Sequence, residues 1–154
     1  MSHDDAPGVA FHPPFLVAGL LVGGWMLTQA RALAFLPMSA ARPVGALLGA
    51  VSLGLFAWAV ATMLRAGTNI PTHLPAKALV LDGPYSYSRN PIYLSLAIGF
   101  AALAAWLNSA WFLAMDVLLV GLLTAGVIVR EERYLRRKFG TAYAEYTDSV
   151  RRWL

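Results

Sequence analysis

The stretch that decides the fold runs from residue 91 to residue 129 and reads PIYLSLAIGFAALAAWLNSAWFLAMDVLLVGLLTAGVIV. Its 39 residues include one charged side chain, Asp116. A helix needs about 20 apolar residues to cross a bilayer core about 30 Å thick, so the stretch is long enough for two crossings. Its only adjacent polar pair, Asn108 and Ser109, lies near the middle and predicts the turn. We therefore expect a tight helical hairpin whose two ends lie on the same side of the membrane.

Two more apolar stretches precede this hairpin. Residues 44–64 carry no charge, and residues 15–36 carry only Arg31. Over all 154 residues, 58% are hydrophobic and 13% are charged, against about 25% charged in soluble domains. The sequence therefore predicts an all-α, polytopic membrane protein. We expect one membrane domain over residues 1–154, with four transmembrane helices near 15–36, 44–64, 91–107 and 110–129.

The distribution of cations predicts the orientation. Three of the 12 Lys and Arg residues lie in the loop 65–90, and seven lie in the tail 130–154. The positive-inside rule makes the face that carries these ten cations cytoplasmic, and four spans put both termini on that face. We expect a multi-pass protein of the bacterial inner membrane. Contact with anionic lipid headgroups accounts for the net charge of +4, so membrane lipid is an expected partner and nucleic acid is not.

Small residues mark the expected helix contacts, because close packing of backbones helps to hold membrane helices together. The second span contains Gly45 and Gly49 four residues apart. The third contains Ala97, Ala101 and Ala105 at the same spacing. We expect close helix approaches at both groups. For the single acid in these spans, Asp116, we expect a structural or snorkelling role with a partner in the first two spans, and Arg31 is the candidate.

The polar loop reads RAGTNIPTHLPAKALVLDGPYSYSRN over residues 65–90 and contains three prolines. This composition predicts an ordered, turn-rich segment rather than a helix. A connector of that length is typical of a functional loop. The chain has no cysteine, which excludes thiol nucleophiles and cysteine-based metal sites, and we expect no metal ligands.

The tail reads REERYLRRKFGTAYAEYTDSVRRWL over residues 130–154. Gly140 predicts the end of one helix and the start of another. After it, a stripe of apolar and aromatic residues recurs at helical spacing, which predicts a C-terminal amphipathic helix at the membrane interface. The stripe consists of Tyr143, Tyr146, Val150 and Trp153.

The expected hairpin has a geometric consequence for the polar segments. It brings Arg89, Asn90 and Pro91 to the same end of the molecule as Glu131 and Glu132. A cation, an amide, a helix N-terminus and two carboxylates would then share one membrane face. This set suits a zwitterionic ligand that carries both a carboxylate and an ammonium group.

Two strings also resemble a known family: GPYSYSRNPIYL, residues 83–94, and EERYLRRKFGTAYAEY, residues 131–146. Their order and spacing across an apolar hairpin resemble the isoprenylcysteine carboxyl methyltransferase and phospholipid methyltransferase group of integral membrane enzymes. The resemblance covers about the C-terminal half of the chain. It implies S-adenosylmethionine as methyl donor and a lipophilic or small acceptor that arrives from the lipid side.

The resemblance also implies which residues bind the cofactor. Glu131 would hold the methionine ammonium, with Glu132 beside it, and Arg89 would serve the carboxylate or brace the loop. The full implied set is Lys77, Ala78, Leu79, Val80, Tyr85, Arg89, Asn90, Pro91, Ile92, Tyr93, Glu131 and Glu132. No catalytic residue is assigned; the candidates for a general base are Glu132, His73 and Tyr146.

The acceptor and the rival functions remain open at this point. The prenylcysteine branch has an arginine where this chain has Val127, which argues against a prenylcysteine carboxylate. The open acceptors are that isoprenylcysteine-like carboxylate, a lipid amine, a small thiol or another hydrophobic molecule. A non-catalytic membrane scaffold or a small transporter is the alternative class, and it predicts polar residues along a path across the bilayer. A nicotinamide-dependent reductase is disfavoured because the chain has no Gly-rich fingerprint.

Overall fold

The computed structural model describes residues 8–70 and 74–154 and contains no strand within those ranges. The all-α prediction is confirmed. A π-helical turn, Thr124–Ile128, joins the fourth helix to the fifth without a break, and a 3-10 turn, Gly83–Ser86, precedes the third. The helices are α1 Pro13–Ala30, α2 Met38–Arg65, α3 Pro91–Trp106, α4 Ala110–Leu123, α5 Val129–Phe139 and α6 Thr141–Ser149.

Within the described residues, three helices are long and apolar enough to cross a membrane. They are α1, α2 and the continuous helix Ala110–Phe139. The third expected span, α3, is apolar but has only 16 residues, fewer than the about 20 that a full crossing takes. The first expected span is wrong at its end: helix α1 stops at Ala30, and Arg31 is extended.

The turn of the hairpin explains why α1 stops early. Asn108 adopts a positive φ of 47°, the left-handed conformation that asparagine tolerates better than most residues. Its side-chain oxygen accepts hydrogen bonds from the backbone N–H groups of Phe35 (3.0 Å) and Leu36 (2.9 Å), and its amide donates to the Leu36 carbonyl (2.9 Å). The predicted hairpin is therefore confirmed, and its turn fixes the extended segment between α1 and α2.

The helices pack in the order α2, α3, α4, α1. Helix α2 packs along α3, α3 along α4, and α1 along α4, whereas α1 and α2 do not pack extensively against each other. The core lies mainly where α1 meets the hairpin. It consists of Leu20, Tyr93, Phe100, Ala104, Phe112, Leu119, Leu123, Val127 and Ile128.

The two glycines of α2 differ in their surroundings. A Cβ added at Gly45 would lie 2.6 Å from the backbone nitrogen and 2.7 Å from the Cα of Trp106, whereas one added at Gly49 would meet nothing within 4 Å. The expected close approach therefore occurs at Gly45 and not at Gly49. Of the three alanines, only Ala105 is buried.

This difference provides a matched pair of variants. We expect Gly45→Ala to lower the free energy of unfolding in detergent by about 1–3 kcal/mol, because the end of α3 must move away from α2. Gly49→Ala adds the same methyl group in open space and should leave stability unchanged or slightly raised. Thermal unfolding of both variants checks this, and equal stability of the two would contradict the packing of α2 on α3.

Two further expectations are corrected by the structure. The Oδ1 atom of Asp116 is buried and has no hydrogen-bond partner within residues 8–70 and 74–154. The ion pairs within those ranges include none between Asp116 and Arg31, so the suggested pairing does not form. Gly140 has a φ of 54° and separates α5 from α6 as predicted, but α6 ends at Ser149. Val150 is extended and lies beyond that end.

The aromatic stripe of the tail faces the protein rather than the membrane interface. Tyr143 and Tyr146 are buried, and Trp153 packs against the core. The α6 helix is too short to carry the whole stripe, and its two tyrosines contact other parts of the molecule instead. The tail therefore packs into the folded protein and is not only a membrane anchor.

Candidate active site

A large cavity opens at the end of the bundle where the hairpin begins and ends. Its volume is about 1030 Å³. Most of its lining is apolar and comes from α1, α2 and α3, and the polar groups come from the segments flanking the hairpin. Its main polar lining residues are Asn69, Tyr85, Arg89, Asn90, Tyr93, Glu131, Glu132, Tyr134 and Tyr143.

Glu132 is neutralised by two guanidinium groups. Arg89 Nη1 lies 3.2 Å from its Oε1. From the opposite side, Arg152 binds it in a fork, with Nε 3.0 Å from Oε1 and Nη2 2.7 Å from Oε2. The side chains of Glu132 and Arg89 are only 17% and 14% exposed, so the ion pair is largely withdrawn from water. The predicted meeting of the two polar segments is confirmed at this contact.

Glu131 has a different environment from its neighbour. Its Oε1 accepts a hydrogen bond from the Tyr93 hydroxyl at 3.0 Å. Within the described part of the chain, no cationic side chain lies within ion-pair distance of Glu131. The glutamate pair is thus asymmetric: one carboxylate is held by two arginines, and the other faces the cavity with a neutral tyrosine as its partner.

Two buried polar atoms of lining residues have no hydrogen-bond partner within the described ranges: the Tyr85 hydroxyl and the Arg89 Nε. Burial is the main cause that raises the pKa of Tyr85 well above its ordinary value, with smaller effects from Tyr146 and Glu131. Its phenol therefore stays protonated and able to donate. Burial likewise raises the pKa of Tyr143 to about 12. Unsatisfied buried donors are costly, so these two atoms next to the cavity are candidates to gain a partner when a polar ligand binds.

The N-terminal segment packs against the π-helical turn that precedes the glutamate pair. Residue Ala10 donates its backbone N–H to the Gly126 carbonyl at 2.9 Å. The Phe11 ring lies directly against Gly126, where an added Cβ would collide with it. Arg130 Nη1 also donates to the Gly8 carbonyl at 2.9 Å. π-Helical turns are frequent at functional sites, and this one lies just before the glutamate pair.

The described part of the loop is ordered by side-chain hydrogen bonds. The Thr68 hydroxyl accepts from the backbone N–H groups of Lys77 (3.0 Å) and Ala78 (3.3 Å). The Asn69 amide donates to the Pro75 carbonyl at 2.8 Å. This agrees with the expectation of an ordered, turn-rich segment.

The structure brings eight of the twelve suggested cofactor residues to the cavity wall. The other four, the run from Lys77 to Val80, do not line it, although the adjacent Ala76 does. The candidate base His73 lies outside the described residues. The Tyr146 hydroxyl donates to the Tyr85 carbonyl at 2.6 Å and does not line the cavity. The eight are Tyr85, Arg89, Asn90, Pro91, Ile92, Tyr93, Glu131 and Glu132.

Sequence reasoning missed several residues at this site. Arg152 binds Glu132 from 20 positions away, and the Tyr134 hydroxyl accepts from the Ala76 N–H of the loop at 3.1 Å. Tyr143, expected at the membrane interface, lines the cavity instead. The signal in the sequence is weak: the tail carries several arginines, and no spacing rule distinguishes Arg152 from the others.

The comparison with known proteins decides the family. A family model described as phospholipid methyltransferase matches residues 41–142, about two thirds of the chain. The chain belongs to the phospholipid methyltransferase family. The matched segment includes α2 from Ala41 onward, the loop, the hairpin and the glutamate pair, so it contains most of the polar residues that line the cavity. The resemblance predicted from the sequence is thereby confirmed at family level.

A relative from Haemophilus influenzae is similar to part of the chain. It is an uncharacterized protein, 42% identical over 65 residues, and the alignment covers 41% of this chain and all of the relative. Family membership and the long apolar helices together indicate a multi-pass membrane protein of a methyltransferase family.

Proposed function

We propose that this protein transfers a methyl group from S-adenosylmethionine to a lipophilic acceptor at the membrane face. The observation that carries the proposal is the asymmetric glutamate pair. Glu131 is the carboxylate at the cavity wall that has no cationic partner in the described structure, while Glu132 is already paired. A cavity with one open carboxylate favours a ligand that brings its own cation.

The residues present fit the amino-acid end of such a donor. Glu131 would bind the ammonium group, and the guanidinium of Arg89, which lines the same cavity, would bind the carboxylate. The protonated Tyr85 phenol offers a further donor in the same cavity. The resemblance also suggests cofactor contacts from the segment Lys77 to Val80. Because this segment does not line the cavity, those contacts would require the loop to move. When bound, the sulfonium supplies an already activated methyl group, which leaves to the acceptor with both bonding electrons staying on sulfur.

The protein's own contribution is to position and to exclude water. Methyl transfer is an in-line displacement, so the acceptor atom must lie about 3–3.5 Å from the methyl carbon and be aligned with the bond that breaks. Two of the candidate bases are otherwise engaged: Glu132 by Arg89 and Arg152, and Tyr146 by the Tyr85 carbonyl. An amine acceptor would therefore be bound in its deprotonated form.

The acceptor we favour is a lipid amine. Val127, which replaces the arginine of the prenylcysteine branch, is fully buried in the core and offers nothing to a carboxylate. The apolar part of the cavity is lined by Val17 of α1, Phe56 of α2 and Leu96 of α3. Because α1 and α2 do not pack extensively against each other, a hydrocarbon tail can lie between them.

The topology we propose has four spans, with α3 as a short third crossing, and both termini and the site in the cytoplasm of a bacterial inner membrane. The ten cations on that face support this orientation. A transporter or scaffold is not favoured, because the polar groups of the cavity gather at one end of the bundle rather than along it.

Incubation of the purified protein with methyl-labelled donor and total bacterial lipid tests the proposal. We expect label in a phospholipid fraction whose headgroup is an amine, and none in water-soluble thiols added in parallel. The matched control is the Glu131→Gln variant, which should transfer no label above background. If label reaches only thiols, the lipid amine is wrong and a thiol is the acceptor. If no acceptor is labelled and the protein binds no donor, the proposed function is overturned.

A further inference from the structure

The carboxyl-terminal segment is bound to the chain just before α3 through its backbone carbonyls. The Arg151 carbonyl accepts from the Arg89 N–H at 3.0 Å. The Arg152 carbonyl accepts from the Asn90 side-chain amide at 3.0 Å and from the Ser88 hydroxyl at 3.4 Å. The last residues of the chain therefore hold the first residues of the hairpin in place.

The Arg152 side chain extends this connection to the other end of the hairpin. Its guanidinium makes the fork with Glu132, whose other partner is Arg89. One residue thus ties the start of α3, through its carbonyl, to α5, through its side chain. Trp153 packs on the core next to it and anchors the segment.

The fork also controls what Arg89 can do. Arg152 binds both oxygens of Glu132, whereas Arg89 contacts that carboxylate through Nη1, and its Nε has no hydrogen-bond partner among the described residues. Without Arg152, the freed oxygen of Glu132 could draw Arg89 into a two-point contact or move further into the cavity. Either change would alter the groups that face the amino-acid end of a ligand.

We propose that Arg152 is a positioning residue of the donor site, one that keeps the Glu132 carboxylate paired at the cavity wall so that Glu131 and Arg89 meet the donor's amino-acid end. This inference rests on the proposed function and adds a role for the tail of the chain. It predicts that the effect of Arg152 is specific to ligands that carry an amino-acid end.

The first experiment measures ligand affinity of the purified full-length protein in detergent. We expect Arg152→Ala to weaken binding of S-adenosylhomocysteine about tenfold, because the loss of the two-point contact between Arg152 and Glu132 disturbs the groups that bind the ligand's amino-acid end. Binding of methylthioadenosine, which lacks the amino-acid end, should change less than twofold. Arg152→Lys should fall between, since an ammonium cannot form the fork.

The matched control is Arg151→Ala, because Arg151 is exposed and takes part through its backbone carbonyl. It should bind both ligands as the parent does. A loss that is equal for the two ligands in Arg152→Ala would show general unfolding and overturn the positioning role. The same follows if Arg152→Ala and Arg151→Ala bind S-adenosylhomocysteine equally well.

A second measurement follows the tail without any ligand. The chain has no cysteine, and Ser88 is 1% exposed beneath the Arg152 carbonyl, so Ser88→Cys provides a single thiol whose protection reports that the tail is bound. Maleimide should label it at least about tenfold faster in the Arg152→Ala background than in the Arg151→Ala background. If the parent protein binds no donor, the proposed function fails. The maleimide labelling rates then decide alone whether Arg152 holds the tail, and equal rates in the two backgrounds would overturn that role as well.

Discussion

Glutamine in place of Glu131 is expected to remove most of the affinity for S-adenosylmethionine while leaving the fold intact. The carboxylate is the group we assign to the donor's ammonium, and a charged hydrogen bond of this kind contributes about 2–3 kcal/mol, which corresponds to about 30- to 150-fold in Kd. The amide oxygen of glutamine still accepts the hydrogen bond from the Tyr93 hydroxyl, so the local packing is preserved. Calorimetric titration of the purified variant gives the affinity directly.

The control for this variant is Glu145→Gln, which removes one exposed carboxylate from α6 and should bind the donor normally. Thermal unfolding should be nearly the same for the parent and both variants. Donor binding by Glu131→Gln as tight as that of the parent would contradict the assignment of the ammonium site.

The same substitution one residue later should act mainly on stability. Glu132→Gln leaves Arg89 and Arg152 side by side without a counter-charge, and the removal of one partner from a buried ion pair costs about 3–5 kcal/mol. Because Arg152 is 38% exposed, we expect about 3 kcal/mol for the whole cluster. The unfolding midpoint in detergent should therefore fall clearly below those of the parent and Glu131→Gln.

This pair of isosteric variants separates a ligand-binding carboxylate from a structural one. The two residues are adjacent, of the same type and in the same helix. A difference in unfolding midpoint or donor affinity between the two variants therefore reports the different surroundings of the two carboxylates. If Glu132→Gln unfolds at the temperature of the parent, the ion-pair cluster is not what holds the two ends of the hairpin together.

The parts of this site that depend on chain reversal are predictable from the sequence. An apolar stretch that is long enough to cross the membrane twice and turns at a polar pair in its middle has both ends on the same side. The reversal predicts that Arg89 and Glu132 lie close to each other, and they are 3.2 Å apart in the folded chain. The helix lengths are less well predicted, because hydropathy does not register the hydrogen bonds by which Asn108 holds Leu36 outside a helix.

The remaining parts depend on contacts that no local pattern encodes. The π-helical turn at Thr124–Ile128 lies in an unbroken apolar run, and the backbone hydrogen bond from Ala10 to Gly126 comes from the other end of the chain. The aromatic spacing in the tail fits a membrane interface and a protein interior equally well. Only the packing of Tyr143 against the cavity distinguishes them.

The most direct test of the account compares two ligands and two proteins in one cycle. Affinities of S-adenosylhomocysteine and of its analogue without the α-amino group are measured for the parent and for Glu131→Gln. We predict that the parent prefers the ligand with the amino group by about 30-fold or more and that Glu131→Gln has almost no preference. An equal preference in both proteins would contradict the claim that Glu131 binds the ammonium of the donor.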